Sequence, residues 1–502
     1  MEQGPVDILE RRSSGVLLHP TSLPGRQGCG DLGPAAYHFV DWLAAAGQSL
    51  WQVLPLNPVG PGNSPYQSVS SFAGSPLLID LSSMVKRGWL PVERDPGFER
   101  QRCDYARITP WLMQRLRTAW RGFAQTANTA ERQEFEDFCS LHRHWLDDYS
   151  LFMTLDGTYG TSWNHWPAPL ARRDPSALAD LAEQNRSELE FWCFVQWQFM
   201  AQWQGLRRYA LSRGIQMVGD MALFVAHHSC DVWSNPDQYL LDADGEPTFV
   251  AGVPPDYFSH TGQRWGNPLY DWSAMKADGY AWWRARLAHQ LQCTEVLRLD
   301  HFRGLESYWA IPRNEPNAVV GQWCDGPRDD FFDTLRQALG SLPLIAEDLG
   351  LISPEVIELR KRHGFPGMKI LQFAFNDGPG NPYLPHNFER EVVAYTGTHD
   401  NNTCVGWWRG LDKAERDDVE RYLGCEATTA INWAMLRATS QSVAQTVIYP
   451  FSDILGLDES HRMNTPGLDK GCWEWRFEWS QVDDTAATQL LQMTQAHGRG
   501  LP

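Results

Sequence analysis

Eight short apolar segments, separated by longer stretches with helical spacing, constrain the fold of this 502-residue chain most strongly. Strands that are buried on both faces of a parallel sheet have continuous apolar runs rather than alternating ones. The runs are Gly15–His19, Leu50–Leu54, Gln216–Asp220, Val296–Asp300, Leu344–Glu347, Met368–Phe373, Val392–Tyr395 and Thr446–Tyr449. They predict an α/β fold, a (β/α)8 TIM barrel, with an open doubly wound sheet as the alternative.

The uneven spacing of these runs predicts two insertions into one barrel. The second run ends at Leu54 and the third begins at Gln216, much further on than one connection needs. Helical patterns fill this interval at Trp111–Phe123, Glu131–Trp145 and Glu188–Tyr209. We therefore expect a single catalytic barrel domain over residues 1–502. It has a mainly helical insertion at 60–210, after strand 2, and a loop-rich insertion at 221–272, after strand 3.

Charge and cysteine spacing exclude several classes of protein. Against 61 Asp and Glu the chain has 43 Lys and Arg, a net charge of −18, whereas nucleic acids and anionic membranes attract clustered cations. None of the ten cysteines forms a C-x-x-C pair, so neither a zinc site nor a compact disulfide framework is expected. The chain shows no signal peptide and no transmembrane run, which predicts a cytoplasmic protein.

The 24 tryptophans are the unusual feature of the composition. Flat aromatic rings stack on the apolar faces of neutral sugars, but they also fill protein cores. Both interpretations stay open from the sequence.

Acidic residues stand at or just after the ends of four predicted strands. They are Asp220, Asp300, Glu347 and Asp400. Because the carboxyl ends of barrel strands meet at one face, these carboxylates are expected to line a common site. Arg298 lies two residues before Asp300 on the same side of its strand, and a neighbouring cation favours an ionised carboxylate.

Two kinds of site use such a set of carboxylates. In glycosidic chemistry an ionised carboxylate attacks the sugar while a protonated carboxyl group donates to the leaving oxygen. The alternative is a divalent cation site, since Asp and Glu also bind Mg²⁺. The abundant Trp and Tyr residues favour a sugar. We therefore expect a carbohydrate-active barrel enzyme with no metal and no cofactor.

Three segments resemble the signature sequences of the 4-alpha-glucanotransferase family (amylomaltases or disproportionating enzymes, glycoside hydrolase family 77). They are Arg298–Gly304 (RLDHFRG), Ala346–Gly350 (AEDLG) and Thr396–Asn402 (TGTHDNN). Shorter blocks extend the resemblance in order from Leu17 to Arg476, namely Ser64–Gln67, Gly219–Met221, Gly252–Phe258, Gly262–Gly266 and Arg462–Gly467. The resemblance implies an α-amylase-clan barrel without that clan's C-terminal β-domain.

The resemblance also implies roles for individual residues. Asp300 matches the nucleophile, Glu347 the general acid/base and Asp400 the third carboxylate, which holds sugar hydroxyls. The implied substrate contacts are Tyr66, Asp220, Asp256, Tyr257, Phe258, Gln263, Trp265, Arg298, His301 and His399. Tyr257 and Phe258 belong to the segment Gly252–Trp265, which resembles the mobile aromatic lid of the family.

The implied activity is transfer of an α-1,4-glucan segment to the 4-hydroxyl of glucose or of another α-1,4-glucan. The mechanism is a retaining double displacement through a covalent glycosyl-enzyme. The alternatives are an α-1,4-glucan hydrolase with the same carboxylates and a catalytically silent glucan-binding protein. The expected partners are malto-oligosaccharides, amylose or other α-1,4-glucans. No nucleic acid, membrane or obligate protein partner is expected.

Overall fold

An eight-stranded parallel barrel forms the centre of this computed structural model, which describes residues 11–92, 94–256, 259–425, 430–468 and 470–500, apart from the Pro61 side chain. Strands β1 to β6 of the described chain are Ser13–Leu17, Leu50–Gln52, Gln216–Met221, Phe249–Val253, Gln263–Pro268 and Val296–Leu299. Strands β7 to β12 are Ser307–Pro312, Gln322–Asp325, Leu344–Ala346, Gly367–Ile370, Val392–Tyr395 and Thr446–Pro450. The barrel order is β10-β11-β12-β1-β2-β3-β6-β9, and every pair is parallel.

The two ends of this order meet and form a nearly closed barrel. The Ala346 N–H on β9 donates to the Pro366 carbonyl, immediately before β10, at 2.9 Å. Each of the eight apolar runs overlaps a barrel strand, so the predicted (β/α)8 fold is confirmed and the open-sheet alternative is wrong. Beyond β12 the described residues add no strand to either sheet.

Glycine sets the close approach of β1 and β2. Gly15 pairs with Leu50, and a Cβ atom on Gly15 would collide with the Leu50 side chain and carbonyl. The strand interiors are buried, and several tryptophans, among them Trp51, Trp203 and Trp283, are fully buried in the same core. Many of the 24 tryptophans therefore fill the core, as one of the two interpretations proposed.

Helices surround the barrel and fill the interval between β2 and β3. The helices α1 to α9 are Pro34–Ala45, Ser82–Lys86, Tyr105–Thr126, Thr129–Tyr159, Ala168–Ala171, Pro175–Gln184, Arg186–Ser212, Cys230–Ser234 and Trp272–Ala277. The helices α10 to α17 are Ala281–Cys293, Arg328–Leu339, Pro354–Arg362, Cys404–Gly410, Lys413–Leu423, Ile431–Gln441, Phe451–Ile454 and Ala486–Ala496. The three predicted helical patterns lie inside α3, α4 and α7. Among the described residues, no helix combines the length and apolarity that crossing a bilayer requires.

A second sheet, absent from the sequence prediction, takes two of its strands, β4 and β5, from within residues 221–272. Its order is β5-β4-β7-β8, and each pair is antiparallel. The ends of the predicted lid segment, Gly252–Trp265, therefore belong to β4 and β5. The two later strands of this sheet, β7 and β8, directly follow the barrel strand β6 and its Asp300, so the sheet lies beside the predicted site.

A buried arginine near the chain's last residues fastens the seam between β1 and β12. Arg499 is fully buried, and its guanidinium donates to the carbonyls of Ser13, Ser440, Ser442, Ala444 and Gln445 at 2.8–3.2 Å. An arginine has five N–H donors, and all five find a carbonyl here. One side chain thus links β1 to the segment that leads directly into β12.

Candidate active site

Arg298 joins two carboxylates at the carboxyl end of the barrel. Its Nη1 contacts both Asp220 carboxylate oxygens at 2.8 Å, and its Nη2 contacts Asp300 Oδ1 at 2.8 Å. Asp220 pairs with Arg298 one residue before β3 ends at Met221, whereas Asp300 follows β6, where its N–H donates to the Met221 carbonyl at 2.9 Å. Arg298 and Asp220 are buried, but the Asp300 side chain is 30 % exposed. Asp300 is therefore the member of this group that solvent or a ligand can reach.

Tyr66 completes the hydrogen bonding of Asp220. Its hydroxyl donates to Asp220 Oδ2 at 2.8 Å, and its ring stacks on His399 with 5.2 Å between centroids and 14° between planes. Burial raises the pKa of Asp220, whereas the Arg298 charge and the Tyr66 hydrogen bond lower it. Tyr66 thus connects the Arg298 group to the loop that carries His399.

Glu347, which follows β9, is hydrogen-bonded to the turn after Asp300. His301 has a left-handed backbone conformation with φ 52°, which is uncommon for a residue other than glycine. Its N–H donates to Glu347 Oε2 at 2.8 Å, and the Leu349 N–H donates to Oε1 at 2.8 Å. Both carboxyl oxygens of Glu347 are therefore held by backbone donors from two neighbouring loops.

Glu347 has the most distinctive electrostatics of the site. Burial and the nearby Asp300 charge raise its pKa to about 7, although Arg298 and the two backbone N–H groups act in the opposite direction. A carboxyl group with such a pKa carries a proton for part of the time at neutral pH. Asp300 is paired with an arginine, and Glu347 beside it can hold a proton. An acid-assisted nucleophilic displacement requires such a pair of carboxyl groups.

Asp400 approaches from the loop after β11. His399 Nε2 lies 3.4 Å from Asp400 Oδ2, and Asn464 Nδ2 donates to Asp400 Oδ1 at 2.7 Å. Arg462 Nη2 donates to the Asp400 backbone carbonyl at 2.9 Å. The Asp400 side chain remains 44 % exposed, so its free surface is available to a ligand.

His301 and Trp265 form the aromatic side of the site. Their rings meet edge to face, with 4.7 Å between centroids. Burial and the Arg303 charge lower the pKa of His301 to about 3, so its imidazole is neutral. His301 Nε2 is buried and has no hydrogen-bond partner among the described residues. A buried polar atom of this kind is satisfied when a ligand hydroxyl reaches it.

The remaining predicted contacts lie beside Trp265, in the turn after β4, or outside the described residues. Gln263 Oε1 accepts from Trp265 Nε1 at 3.2 Å, which places Gln263 beside the aromatic side. Asp256 Oδ1 accepts from the Ser259 N–H at 2.8 Å, so this carboxylate orders its own turn. Tyr257 and Phe258, the predicted lid aromatics, lie outside the described residues.

Three residues near the site had no predicted role. Asn464 and Arg462 hold Asp400, and both lie in the Arg462–Gly467 block that the sequence had singled out. His19, just past β1, is buried, and its Nδ1 lacks a partner within the described chain. It lines a cavity of about 30 Å³ together with His399 and Asn402. Its position after a barrel strand was the only sequence signal for it.

The residues around Arg298 bear on the alternative of a divalent cation site. Within the described ranges, no group of three or more His, Cys, Asp and Glu side chains is arranged to hold a metal ion. The positive charge between Asp220 and Asp300 is supplied by Arg298. All ten cysteines are free thiols.

Comparison with known proteins identifies the family of the chain. The sequence model of the family described as 4-alpha-glucanotransferase, glycoside hydrolase family 77, matches residues 18–482. The chain is 45 % identical over 499 residues to the 4-alpha-glucanotransferase of Synechocystis, covering 98 % of this chain and 99 % of that protein. It is 46 % identical over 496 residues to the 4-alpha-glucanotransferase of Thermus thermophilus, covering 97 % and 99 %.

A solved structure agrees with the sequence relatives. The amylomaltase from Streptococcus agalactiae in complex with acarbose superposes with a TM-score of 0.95 at 35 % identity, covering 98 % of this chain and 100 % of that one. Matching sequence over nearly the whole length, a matching fold and carboxylates at the expected strand ends agree with one another. This chain belongs to the 4-alpha-glucanotransferase family, glycoside hydrolase family 77.

Proposed function

We propose that this chain acts as a 4-alpha-glucanotransferase with Asp300 as nucleophile and Glu347 as general acid/base. The observation that carries the proposal is the pair of unlike carboxyl groups, Asp300 bound to Arg298 and Glu347 with its pKa raised to about 7. In the first step Asp300 attacks the anomeric carbon while Glu347 protonates the departing glycosidic oxygen. The relatives at 45–46 % identity are named transferases, which favours transfer over the hydrolase and silent-binder alternatives.

In the second step the same carboxyl group of Glu347 acts as a base. It takes the proton from the acceptor's 4-hydroxyl, and that oxygen attacks the anomeric carbon and displaces Asp300. Both steps invert the anomeric carbon, so the product retains the α configuration. The two backbone donors keep Glu347 in one position while its proton comes and goes.

The other polar groups hold the sugar ring between these two carboxyl groups. Asp400 and His399 offer acceptors and donors to hydroxyls, and His301 Nε2 offers an unused one. Asp220 and Tyr66 set the position of Arg298 and through it that of Asp300. Trp265 supplies an aromatic surface, and we assign Gln263, Asp256, Tyr257 and Phe258 to the substrate-contacting loop of the cleft.

The substrates we propose are malto-oligosaccharides, amylose and other α-1,4-glucans. The crystal structure of the Streptococcus agalactiae relative contains acarbose, which supports a saccharide-binding cleft. We further propose that one catalytic barrel domain carries the whole reaction, in the cytoplasm. The ten free thiols are consistent with a reducing compartment.

Incubation with maltotriose tests the proposed activity. Transfer should produce glucose together with a ladder of longer malto-oligosaccharides, with little gain in total reducing ends. Chromatography of the products and a reducing-end assay measure both quantities. A digest that ends in glucose and maltose, with reducing ends rising throughout, would identify a hydrolase instead.

Two variants test the assigned roles. Glu347→Gln should lower kcat by about 10²–10⁴-fold, the usual contribution of a general acid, with a smaller effect on saccharide binding. Asp300→Asn should abolish the trapped glycosyl-enzyme that mass spectrometry detects after quenching. Near-full transfer activity in either variant would show that the roles are wrongly assigned.

A further inference from the structure

A second cavity lies among helices α13, α15 and α17, outside the residues assigned above. It has a volume of about 440 Å³ and is also bounded by the turn after α16 and the segment before α17. Ligand pockets commonly have volumes of about 300–1,000 Å³. The α13/α15/α17 cavity is therefore large enough to hold part of an oligosaccharide.

Two tryptophans supply aromatic surface to this cavity. Trp408 on α13 and Trp433 on α15 both line it, and both are only partly buried. One side of the Trp408 ring carries the Arg416 guanidinium, 4.9 Å from the centroid. Flat indole faces stack on the apolar faces of neutral sugars, as they do at glycan-binding surfaces.

The polar rim offers planar hydrogen-bonding groups. Gln489, Asp483 and Arg409 line the cavity and are exposed. The ion pairs that the structure describes for Arg409 are long, 3.7 Å to Asp458 and 3.8 Å to Glu459. Amide, carboxylate and guanidinium groups each present two coplanar hydrogen-bonding atoms, which suit the adjacent hydroxyls of a pyranose.

The charges around the cavity select against an anionic ligand. Arg409 is the lining cation, and it is balanced by Asp458 and Glu459 nearby and by Asp483 in the lining itself. The chain as a whole carries a net charge of −18. A phosphate or nucleic acid would meet repulsion, whereas a neutral polyhydroxyl chain would not.

The cavity adjoins the catalytic loop without sharing it. Helix α13 begins at Cys404, whose N–H donates to Asp453 at 2.7 Å, and the same carboxylate accepts from Thr396 at 2.6 Å. The small cavity beside His399 and the α13/α15/α17 cavity have no lining residue in common. A chain held in the second cavity is thus close to the loop of Asp400 but leaves the catalytic groups free.

We propose that the α13/α15/α17 cavity is an additional binding site for α-1,4-glucan chains, with Trp408 and Trp433 as its stacking surface. The inference rests on the proposed function, since it names the same polymer as ligand. A site of this kind raises the local concentration of a long substrate at the cleft, whereas a trisaccharide is too short to use both sites.

The test compares a long and a short substrate in matched variants. Trp433→Ala and Gln489→Ala remove cavity groups, and Gln492→Ala, on the same helix but outside the lining, is the control. Retardation in native gels containing glycogen should show an affinity loss of about three- to tenfold for Trp433→Ala. The loss should be smaller for Gln489→Ala and absent in the control. Transfer from maltotriose should stay at the wild-type rate.

The outcomes separate this inference from the proposed function. Failure of wild-type protein to transfer from maltotriose would overturn the proposed function. Normal transfer combined with unchanged glycogen affinity in both cavity variants would overturn the second site alone. If Trp433→Ala does not fold, as judged by circular dichroism, the exposed Gln489→Ala variant decides, and its unchanged affinity would be the contradicting result.

Discussion

At the scale of a single residue, Glu347 predicts the pH profile of the enzyme. Its pKa is raised from 4.5 to about 7 by burial and by Asp300. The acid form that starts the reaction therefore dominates below pH 7 and is lost above it. We expect kcat/KM for maltotriose to fall about tenfold per pH unit on the alkaline side of that value.

The pKa values of neighbouring histidines help to assign the fall in kcat/KM above pH 7 to Glu347. The imidazoles of His19 and His301 have pKa values lowered to about 3, mainly by burial, so they stay neutral across the range. Far-ultraviolet circular dichroism recorded at the same pH values controls for unfolding. A profile that stayed flat up to pH 9 would contradict the assignment of Glu347 as the acid.

The same shift has a consequence for stability. Because the folded-state pKa of Glu347 lies above the ordinary value of 4.5, protonation stabilises the folded state. This contribution is fully present below about pH 4.5 and is lost as the pH rises through about 7. The raised pKa that suits Glu347 to acid catalysis therefore lowers the free energy of unfolding at alkaline pH.

Individual residues differ in how far the sequence could predict them. Asp300 and Glu347 follow apolar runs directly, so their place at the barrel's carboxyl end followed from strand prediction. Asn464 contacts Asp400 across 64 residues, and no local pattern encodes such a contact. His301's left-handed backbone is likewise set by its tertiary hydrogen bond to Glu347 rather than by its residue type.

At the scale of elements, the barrel strands were predictable and the second sheet was not. Barrel strands are buried on both faces and read as continuous apolar runs, as Val392–Tyr395 does. Strand β5 mixes exposed and buried residues, and β8 is largely exposed, so neither has a clear apolar pattern. Strand β4 pairs with β7 far along the chain, and that pairing follows from tertiary structure.

The seam between β1 and β12 gives a stability prediction. Arg499→Met removes five buried hydrogen bonds to backbone carbonyls. Three of these carbonyls keep a second donor, since Arg12 also donates to Ser440 and Ser442 and the Ser13 N–H also donates to Gln445. We expect a loss of at least about 3 kcal/mol in the free energy of unfolding, measured by urea denaturation. Arg12→Met is the matched control, because Arg12 also donates to Ser440 and Ser442 but is only partly buried.

The Arg12→Met control gives the loss of stability with which that of Arg499→Met is compared. Arg12→Met should destabilise the protein less than Arg499→Met does. Equal urea midpoints for Arg499→Met and the wild type would mean that the seam is held by strand pairing alone. Because the change is far from Glu347, the rate of maltotriose transfer by the folded variant should be unchanged.

At the scale of the whole molecule, the site is assembled from distant parts of the chain. Tyr66 and Asp220 are 154 residues apart, and Arg298 lies a further 78 residues on from Asp220. Each reaches the site from a different strand or loop, and only the arrangement of the barrel strands brings them within hydrogen-bonding distance. The active site is therefore a property of the complete barrel and not of any one segment.

The pairing of β1 with β12 also determines when a newly made chain can become an enzyme. Ser13 and Thr446 are partners 433 residues apart. At about 5–20 residues per second, a ribosome needs roughly 20–90 s to synthesise that interval. Throughout this time β1 has one edge without its neighbour, and unpaired strand edges invite aggregation. Synthesis speed and protection of the unfinished chain thus bear directly on the yield of active protein.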